Sequence, residues 1–532
     1  MTWRRSSTAL LAAVPVAVLA VFFVYPVVGM VGRGFVVDGR FAPDDVLAVL
    51  ARPRTLRVLW FTVWSAGLAT LVCVLAGVPL AWALHRLSFP GRRLLRGLVL
   101  VPFVLPTVVV GVAFGQLLAP AGWLGFLHLQ GTAVAIVLAL AFFNVSVVVR
   151  TVGSFWEDLD VRREEAAAAL GATPWQVLRT VTLPTLLPGV VGAATVVFLF
   201  CSTSFGVVLT MGGLRYANVE TEIYLLTTQE LDLRGAAALS VLQLLVLTAL
   251  LALAHLTGRA VPVDRVRARP RRPRRGDLLA LGWSALVVAA LLLPMLALVV
   301  RSLATAGGGW TLEHYRALGH VSAALPASAL TGLSNSAQIA LVATALSMLL
   351  GVAVAGLVTR PGGGRWRSVL DGAFMLPLGV SAVTLGFGFL VTLDHPPLDL
   401  RASPWLVPIA QAMVALPLVV RTVAPVLRAV DDRQRQAAAS LGAGPLRVLL
   451  TVDLAVAWRP LLAAAGFAFA VSLGEFGATS FVVRETTPTL PVLIYRLISR
   501  PDAGDVGTAL AASVVLAVAT ALVMLCVERV RP

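Results

Sequence analysis

Apolar residues in this chain come in long unbroken runs rather than in alternation with polar ones. A membrane-crossing helix needs about 20 such residues. Twelve runs of that kind are predicted, near 9–31, 58–84, 98–118, 131–149, 185–210, 236–257, 278–300, 335–358, 372–393, 404–420, 461–483 and 507–527. Short segments rich in Arg, Gly and Pro separate them. Runs this long and this frequent read as spanning helices, not as buried strands. The first follows Arg4 and Arg5. It is too long for the apolar core of a signal peptide and has no small-residue cleavage site, so it reads as a span.

Composition fits that pattern. Hydrophobic residues make up 58% of the 532 positions and charged residues 13%, against about 25% charged in soluble domains. A soluble enzyme, a nucleic-acid-binding domain and a disordered tail are thereby excluded. The net charge is +16, and all 42 basic residues are Arg. In a soluble protein that balance suggests nucleic acid. Here Arg collects at the start of the chain and after the second, fourth, sixth, eighth, tenth and twelfth runs. By the positive-inside rule those segments, and both termini, are cytoplasmic. One segment conflicts: the first outer loop carries Arg33, Arg40, Arg52 and Arg54, offset only in part by Asp38, Asp44 and Asp45. The chain thus reads as an all-α, multi-pass protein of a bacterial inner membrane.

Cys73, Cys201 and Cys526 each lie within an apolar run, and the six His are scattered. No spacing resembles a disulfide framework or a metal site, so no metal or cofactor is expected. Segment 258–277 holds eight Arg together with Pro262, Pro270 and Pro273. It reads as an exposed, extended cytoplasmic linker. Such a run could also meet anionic lipid headgroups, although a solvated linker is the plainer reading. It divides the chain into 1–257 and 278–532, each with six predicted spans.

The two halves repeat each other at an offset of 271 residues. Phe103, Leu105 and Pro106 return as Phe374, Leu376 and Pro377, and Arg150 returns as Arg421. Phe205-Gly206 returns as Phe476-Gly477, and Ile223-Tyr224 as Ile494-Tyr495. With an even number of spans per half, both halves enter the membrane in the same sense. The result is a parallel repeat, with a pathway expected between the halves.

The densest matches fall in the cytoplasmic loop after the fourth span of each half. The first copy reads Glu165-Ala166-Ala167, then Gly171, then Val181, Leu183 and Pro184. Residues Arg162 to Leu170 are good helix formers, Gly171 is a natural helix stop, and Pro174 allows a new start. A helix-turn-helix is predicted there, joined at Pro184 to the fifth span. The second copy reads Gln436-Ala437-Ala438, then Gly442, then Val452, Leu454 and Ala455. One copy alone would pass for an ordinary interfacial loop. Two copies in register do not.

This pattern resembles the EAA loop of ABC importer permeases, E-A-A-x3-G-x9-I-x-L-P. The first copy has every element with Val181 for Ile. The second departs at Gln436 and Ala455. The resemblance covers nearly the whole chain and points to fused, twelve-span permeases of type I ABC importers. It implies two parallel six-helix repeats of that fold, in a chain that is not itself a catalyst. It implies two ATPase subunits docked on the cytoplasmic face, at Glu165, Ala166, Gly171 and Pro184 and at Ala437 and Gly442. It also implies an extracytoplasmic binding protein and a small-molecule or ion substrate, with no nucleic-acid partner. Phe142-Phe143-Asn144, Met211-Gly212-Gly213, Val219 to Tyr224 and Ser472 to Gly477 are similar to the thiamine branch. Thiamine is the leading substrate on that likeness, ferric iron the second, and phosphonates and polyamines stay open.

Glu475 stands inside the eleventh predicted span, where a carboxylate costs roughly 2.5–3.5 kcal/mol. Its repeat partner is Ser204. With Phe205, Gly206, Phe476 and Gly477 it forms a candidate substrate pathway, in which an acid would attract a cation and the aromatic rings could gate it or stack on it. A purely structural acid, bonded to a neighbouring helix, explains it equally well. Asn144 and Gln243 read as interhelical glue. No G-x-x-x-x-G-K-[ST] phosphate cradle occurs. A secondary transporter would leave the paired loops unexplained. A membrane enzyme would need more clustered acids and His than Glu313-His314 and Asp394-His395 provide.

This topology is checked with a reporter active only outside the cytoplasm. Fused after Arg269 it should be silent, and fused after Asp399 it should be active. The reverse result overturns the span count and the placement of both loops.

Overall fold

The computed structural model describes the chain apart from residues 1–12, 38–39, 214, 258–269, 306, 322–324, 360–371, 375–379, 395, 397, 500–502 and 531–532. Most of the described residues are helical. The strands among them form one two-residue hairpin ladder after the first span, pairing Val36 with Phe41 and Val37 with Arg40.

Among the described residues ten helices are long and apolar enough to cross a membrane, including Ala13–Phe35, Pro53–Arg86, Ala133–Asp158, Pro174–Ser202, Leu406–Arg428 and Leu446–Leu473. The third predicted span is not one straight helix. Arg92–Val104 and Thr107–Leu118 meet at 103°. Leu105 is extended, with φ −64° and ψ 138°, because the ring of Pro106 disfavours a helical conformation in the residue before it. Each piece is only about 18–20 Å long, short of the roughly 30 Å hydrocarbon core. The bent pair raises the count to eleven if it crosses once. The ninth predicted span is described only in part, as the helix Ala382–Thr392. The count of twelve therefore rests on one bent pair and one run that lies partly outside the described residues.

The chain forms two compact units, and both draw on both halves of the sequence. One comprises 53–221 and 245–310. In it Pro53–Arg86 packs along Ala133–Asp158, helix Leu183–Ser202 lies against both, and Leu278–Ser302 packs on Pro53–Arg86 and Thr107–Leu118. The other comprises 1–52, 222–244 and 311–532. In it Ala329–Val358, Leu406–Arg428 and Leu454–Leu473 pack together, and Tyr25–Phe35 packs on Ala382–Thr392. The predicted first span thus belongs with elements of the second half, and the predicted seventh span with elements of the first.

Lipid gives helices no hydrophobic reason to associate, so close approach between small residues must hold them. At Gly77 an added Cβ would lie 2.8 Å from Val148. At Gly351 it would lie 2.6 Å from Val419. Val148 and Val419 are repeat equivalents, so one knob-on-glycine contact joins the same pair of helices in each unit. Around the second copy Ala355, Ala415, Ala457, Ala464 and Ala468 are all buried.

The linker is not a free strap along its whole length. Residues 258–269 lie outside the described part, but the next residues are pinned. Arg271 N–H donates to the Arg86 carbonyl at 3.0 Å, and Ser88 N–H donates to the Arg271 carbonyl at 2.8 Å. The Arg271 guanidinium grips the Asp277 carboxylate at 2.6 and 2.9 Å and sits over Trp82. Arg52, one of the arginines that conflict with the predicted topology, donates to Asp232 at 2.9 Å, so part of that charge is paired. Burial opposes the charge on Asp232, but the Gly235 N–H and Arg52 outweigh it and hold its carboxyl below the usual range.

Gly77→Val should overpack its contact and lower stability by about 1–3 kcal/mol. Gly67, on the same helix, has open space around an added Cβ. Thermal unfolding in detergent should therefore show a lower Tm for Gly77→Val than for Gly67→Val. Equal shifts would mean that this contact does not hold the pair.

Candidate functional site

Both repeated loops fold as helix-turn-helix elements, as the sequence predicts, and their caps show why. In the first, helix Val161–Ala169 starts at Asp160, whose side chain accepts from Arg162 N–H at 3.0 Å. It ends in a Schellman turn: Gly171 N–H donates to Ala168 and Ala172 N–H to Ala167, at 3.0 and 3.1 Å. Gly171 has φ +89°, a conformation glycine adopts without strain. Thr173 and Gln176 then form a capping box for Pro174–Val177. Helix Asp432–Ser440 of the second loop repeats the plan. Asp431 caps it through Arg433 N–H at 2.9 Å, and Gly442, at φ +85°, closes the same turn.

After each turn the chain does not enter an ordinary α-helix. Leu178–Thr182 and Leu449–Asp453 are single π-turns of five residues, at equivalent positions of the repeat. Leu183–Ser202 and Leu454–Leu473 follow without a break. Short π segments inside α-helices occur chiefly at functional sites.

The tips of the loops are apolar and unprotected. Leu170 and Leu441 are each 90% exposed, Trp175 is 68% exposed and Leu446 55% exposed. Each tip therefore presents two exposed apolar side chains, Leu170 with Trp175 and Leu441 with Leu446. Glu165, Ala166, Gly171, Ala437 and Gly442 are also at the surface or nearly so. Pro184 is exposed and sits just after the π-turn, inside the continuous helical run from Pro174 to Ser202. The bonded acid of the first loop is instead Glu164. It pairs with Arg86 and accepts from Thr182 Oγ1 at 2.8 Å.

The candidate pathway residues sit where helices stop. Counted from the loops, Pro174–Ser202 and Leu446–Leu473 each run about 42–44 Å, longer than the hydrocarbon core. Glu475 is therefore not inside a continuous span. It follows the helix end at Gly474, as Ser204 follows the helix end at Thr203. Nor is it an isolated acid. Its carboxylate accepts from Ala478 N–H at 2.8 Å and Thr479 N–H at 2.9 Å, and from the Thr479 hydroxyl. It thereby caps the short helix Thr479–Val482. Gln411 donates to Thr479 at 3.2 Å from a neighbouring helix. Phe205 and Phe476 are buried, at 5% and 3% exposure, and Phe476 packs on Tyr495. Gly206 lies so close to Thr107 that a Cβ would come within 2.3 Å of its hydroxyl.

The sequence reading missed the acids beyond the first break. Glu220 and Glu222 are 0% and 2% exposed, in helix Val219–Thr228. Asn218 donates to the Ser204 carbonyl at 2.8 Å and accepts from Thr221 N–H at 2.9 Å. The segment is short and polar, which is why it read as an outer loop. Its equivalent in the repeat, Leu490–Ile498, has Pro491 and Leu493 in place of the two acids. Asn144 does serve as glue, donating to Leu140 and to Cys201 Sγ of a neighbouring helix.

Comparison with known proteins gives the same doubled pattern. The family model for the binding-protein-dependent transport system inner membrane component matches residues 73–261 and again 347–532. The thiamine transport system permease protein ThiP of Brucella abortus (strain 2308) is 29% identical over 465 residues, covering 82% of this chain and 81% of the relative. ThiP of Escherichia coli (strain K12) is 28% identical over 488 residues, 86% of each chain. The sulfate transport system permease protein CysT of Escherichia coli (strain K12) is 34% identical over 200 residues, 36% of this chain and 72% of CysT. With both loops, both π-turns and both family matches in register, the chain belongs to the family of binding-protein-dependent transport system inner membrane components, and carries two copies of that domain.

Proposed function

We propose that this chain supplies both membrane halves of an ATP-driven importer and that its cargo is thiamine. The observation that carries the first part is the pair of capped cytoplasmic helix-turn-helix elements, each ending in a bare leucine and each continuous with a long helix. Such an element converts a push on its tip into movement of the attached helix. Two ATPase subunits would supply the push, one at Leu170 and Gly171, the other at Leu441 and Gly442. The chain cannot bind ATP through a Lys-bearing phosphate loop, because it contains no Lys. In this reading ATP is hydrolysed by the partner subunits.

In this reading an extracytoplasmic binding protein delivers substrate to the outer face, and both termini lie in the cytoplasm. Thiamine is favoured because relatives named thiamine permeases align along more than four-fifths of both chains. Ferric iron has no comparable support. The candidate pathway keeps Phe205, Gly206, Glu475, Phe476 and Gly477, with one change of role. The bonds on Glu475 account for its burial without any substrate, so attraction of a cation is not what requires an acid there.

Docking is tested with Leu170→Asp and Leu441→Asp, which alter only exposed tips. Each should cut co-purification of the ATPase subunit at least fivefold while membrane insertion stays normal. Undiminished co-purification would mean that the loops are not the docking points. Cargo is tested by labelled uptake in a strain lacking its own thiamine permease, with the full set of subunits expressed. Thiamine should accumulate only when ATP is available. Iron accumulation without thiamine uptake would overturn the substrate and leave the permease reading standing.

A further inference from the structure

The residue just before the motif's first position does something in this structure that the motif does not describe. In the first loop that residue is Glu164. One carboxylate oxygen accepts from Thr182 Oγ1 at 2.8 Å, and the other pairs with Arg86. Thr182 is the last residue of the π-turn Leu178–Thr182 and is 3% exposed. Arg86 ends the long helix Pro53–Arg86 and lies over the Trp156 ring at 5.5 Å.

In the second loop the equivalent residue is Arg435, of opposite charge. Its Nε donates to Asp453 Oδ1 at 2.7 Å, one terminal nitrogen donates to Asp432 at 2.6 Å, and the other to the Leu427 carbonyl. Asp453 is the last residue of the π-turn Leu449–Asp453, is 5% exposed, and is the repeat equivalent of Thr182. Leu427 stands at the end of Leu406–Arg428. In both copies, then, one side chain of the loop helix reaches the end of the π-turn and the end of an earlier long helix. The loop helix and the π-turn are equivalent in the two copies; the long helix differs, being the second of its half at Arg86 and the fourth at Leu427, and the charge of the reaching side chain is reversed.

We propose that Glu164 and Arg435 are latches that clamp each loop helix to its π-turn, so that a push on the loop moves the following helix rather than being absorbed in the turn. The latch is a positioning device and touches neither substrate nor nucleotide. Two features support it. A π-turn has one more residue per hydrogen-bonded ring than an α-turn, so it is the soft point of the connection. And a buried charged group such as Asp453 is retained only with a partner, which fixes Arg435 in place. Reversing the charges between copies also keeps each latch residue mated to its own turn, since Glu164 against Asp453 would repel.

The transport role of the latch rests on the permease reading, but the latch itself does not, so the test has two readouts. The first is amide hydrogen exchange in the purified full-length chain, without other subunits. Arg435→Gln should raise exchange over 449–453 at least tenfold, and Arg435→Lys, which keeps the positive charge facing Asp453 and Asp432, should stay within threefold of the native chain. Should Arg435→Gln fail to fold, Thr182→Val makes the same comparison over 178–182 in the first loop. Unchanged exchange in Arg435→Gln, or equally raised exchange in Arg435→Lys, overturns the latch. The second readout is substrate moved per ATP hydrolysed by the complex reconstituted with its ATPase and binding protein. Arg435→Gln should lower that ratio at least threefold at normal ATPase co-purification, and Arg435→Lys should preserve it. Raised exchange with an unchanged ratio would overturn the role in coupling, and a native complex that moves no substrate would overturn the permease reading alone.

Discussion

A buried peptide N–H or C=O must find its partner inside the protein, and this chain interrupts its long helices where little water reaches. That constraint shapes both ends of the helices that follow the loops. At the far end, the polypeptide stops being helical after Ser202 and after Leu473. Each stop exposes backbone groups that a continuing helix would have satisfied. At the second stop a carboxylate takes up two freed N–H groups, from Ala478 and Thr479. At the first, Asn218 returns from the next segment to satisfy the Ser204 carbonyl. Glu475, read from the sequence as a candidate pathway residue, is in the structure also the group that bonds the backbone where the second helix ends.

Much of the architecture was legible because it rests on one-dimensional signals. Spans are long runs, loops are Arg-rich, and a glycine followed by a proline closes a helix and reopens another. Gly171 with Pro174 and Gly442 with Pro445 carried enough to predict both helix-turn-helix elements. Other features turn on one or two residues and were lost in the apolar background. Pro106 was matched to Pro377 as a mark of the repeat, yet not read as the break it imposes on Leu105. The stops after Ser202 and Leu473 have no proline, and hydropathy carries straight through them.

Long-range pairings escaped for another reason. Nothing local in Glu164 says that Thr182 and Arg86 will face it, and only the fold brings residues 78 positions apart into contact. The linker shows the same limit. Its Pro and Arg content predicts an extended strand, which residues around Arg271 are, but not that Arg86 and Ser88 would hold it by backbone bonds. The division into units was invisible as well, since it assigns residues 275–302 to a packing unit built mainly from the first half. Composition cannot report which neighbours a uniformly apolar helix selects.

The repeat preserves backbone geometry more strictly than side-chain chemistry. In the two loops and the helices that follow them, the cap, the positive-φ glycine, the π-turn and the helix end recur 271 residues apart, while the polar groups serving them differ. Thr173 and Gln176 form a capping box that Gly444 and Arg447 cannot. Ser204 answers to Glu475, Glu220 to Pro491, Glu222 to Leu493, and Glu164 to Arg435. Two identical subunits would be forced to carry the same polar group on both sides. A single chain holding both copies is free of that symmetry, and each copy can satisfy the same backbone with different side chains. The acids have accordingly moved: the first copy buries them in Val219–Thr228, the second at the helix stop before Thr479. Since the backbone plan is common to both, it is the part that the shared mechanical task constrains. The side chains that differ are free to make the two halves unequal toward whatever passes them.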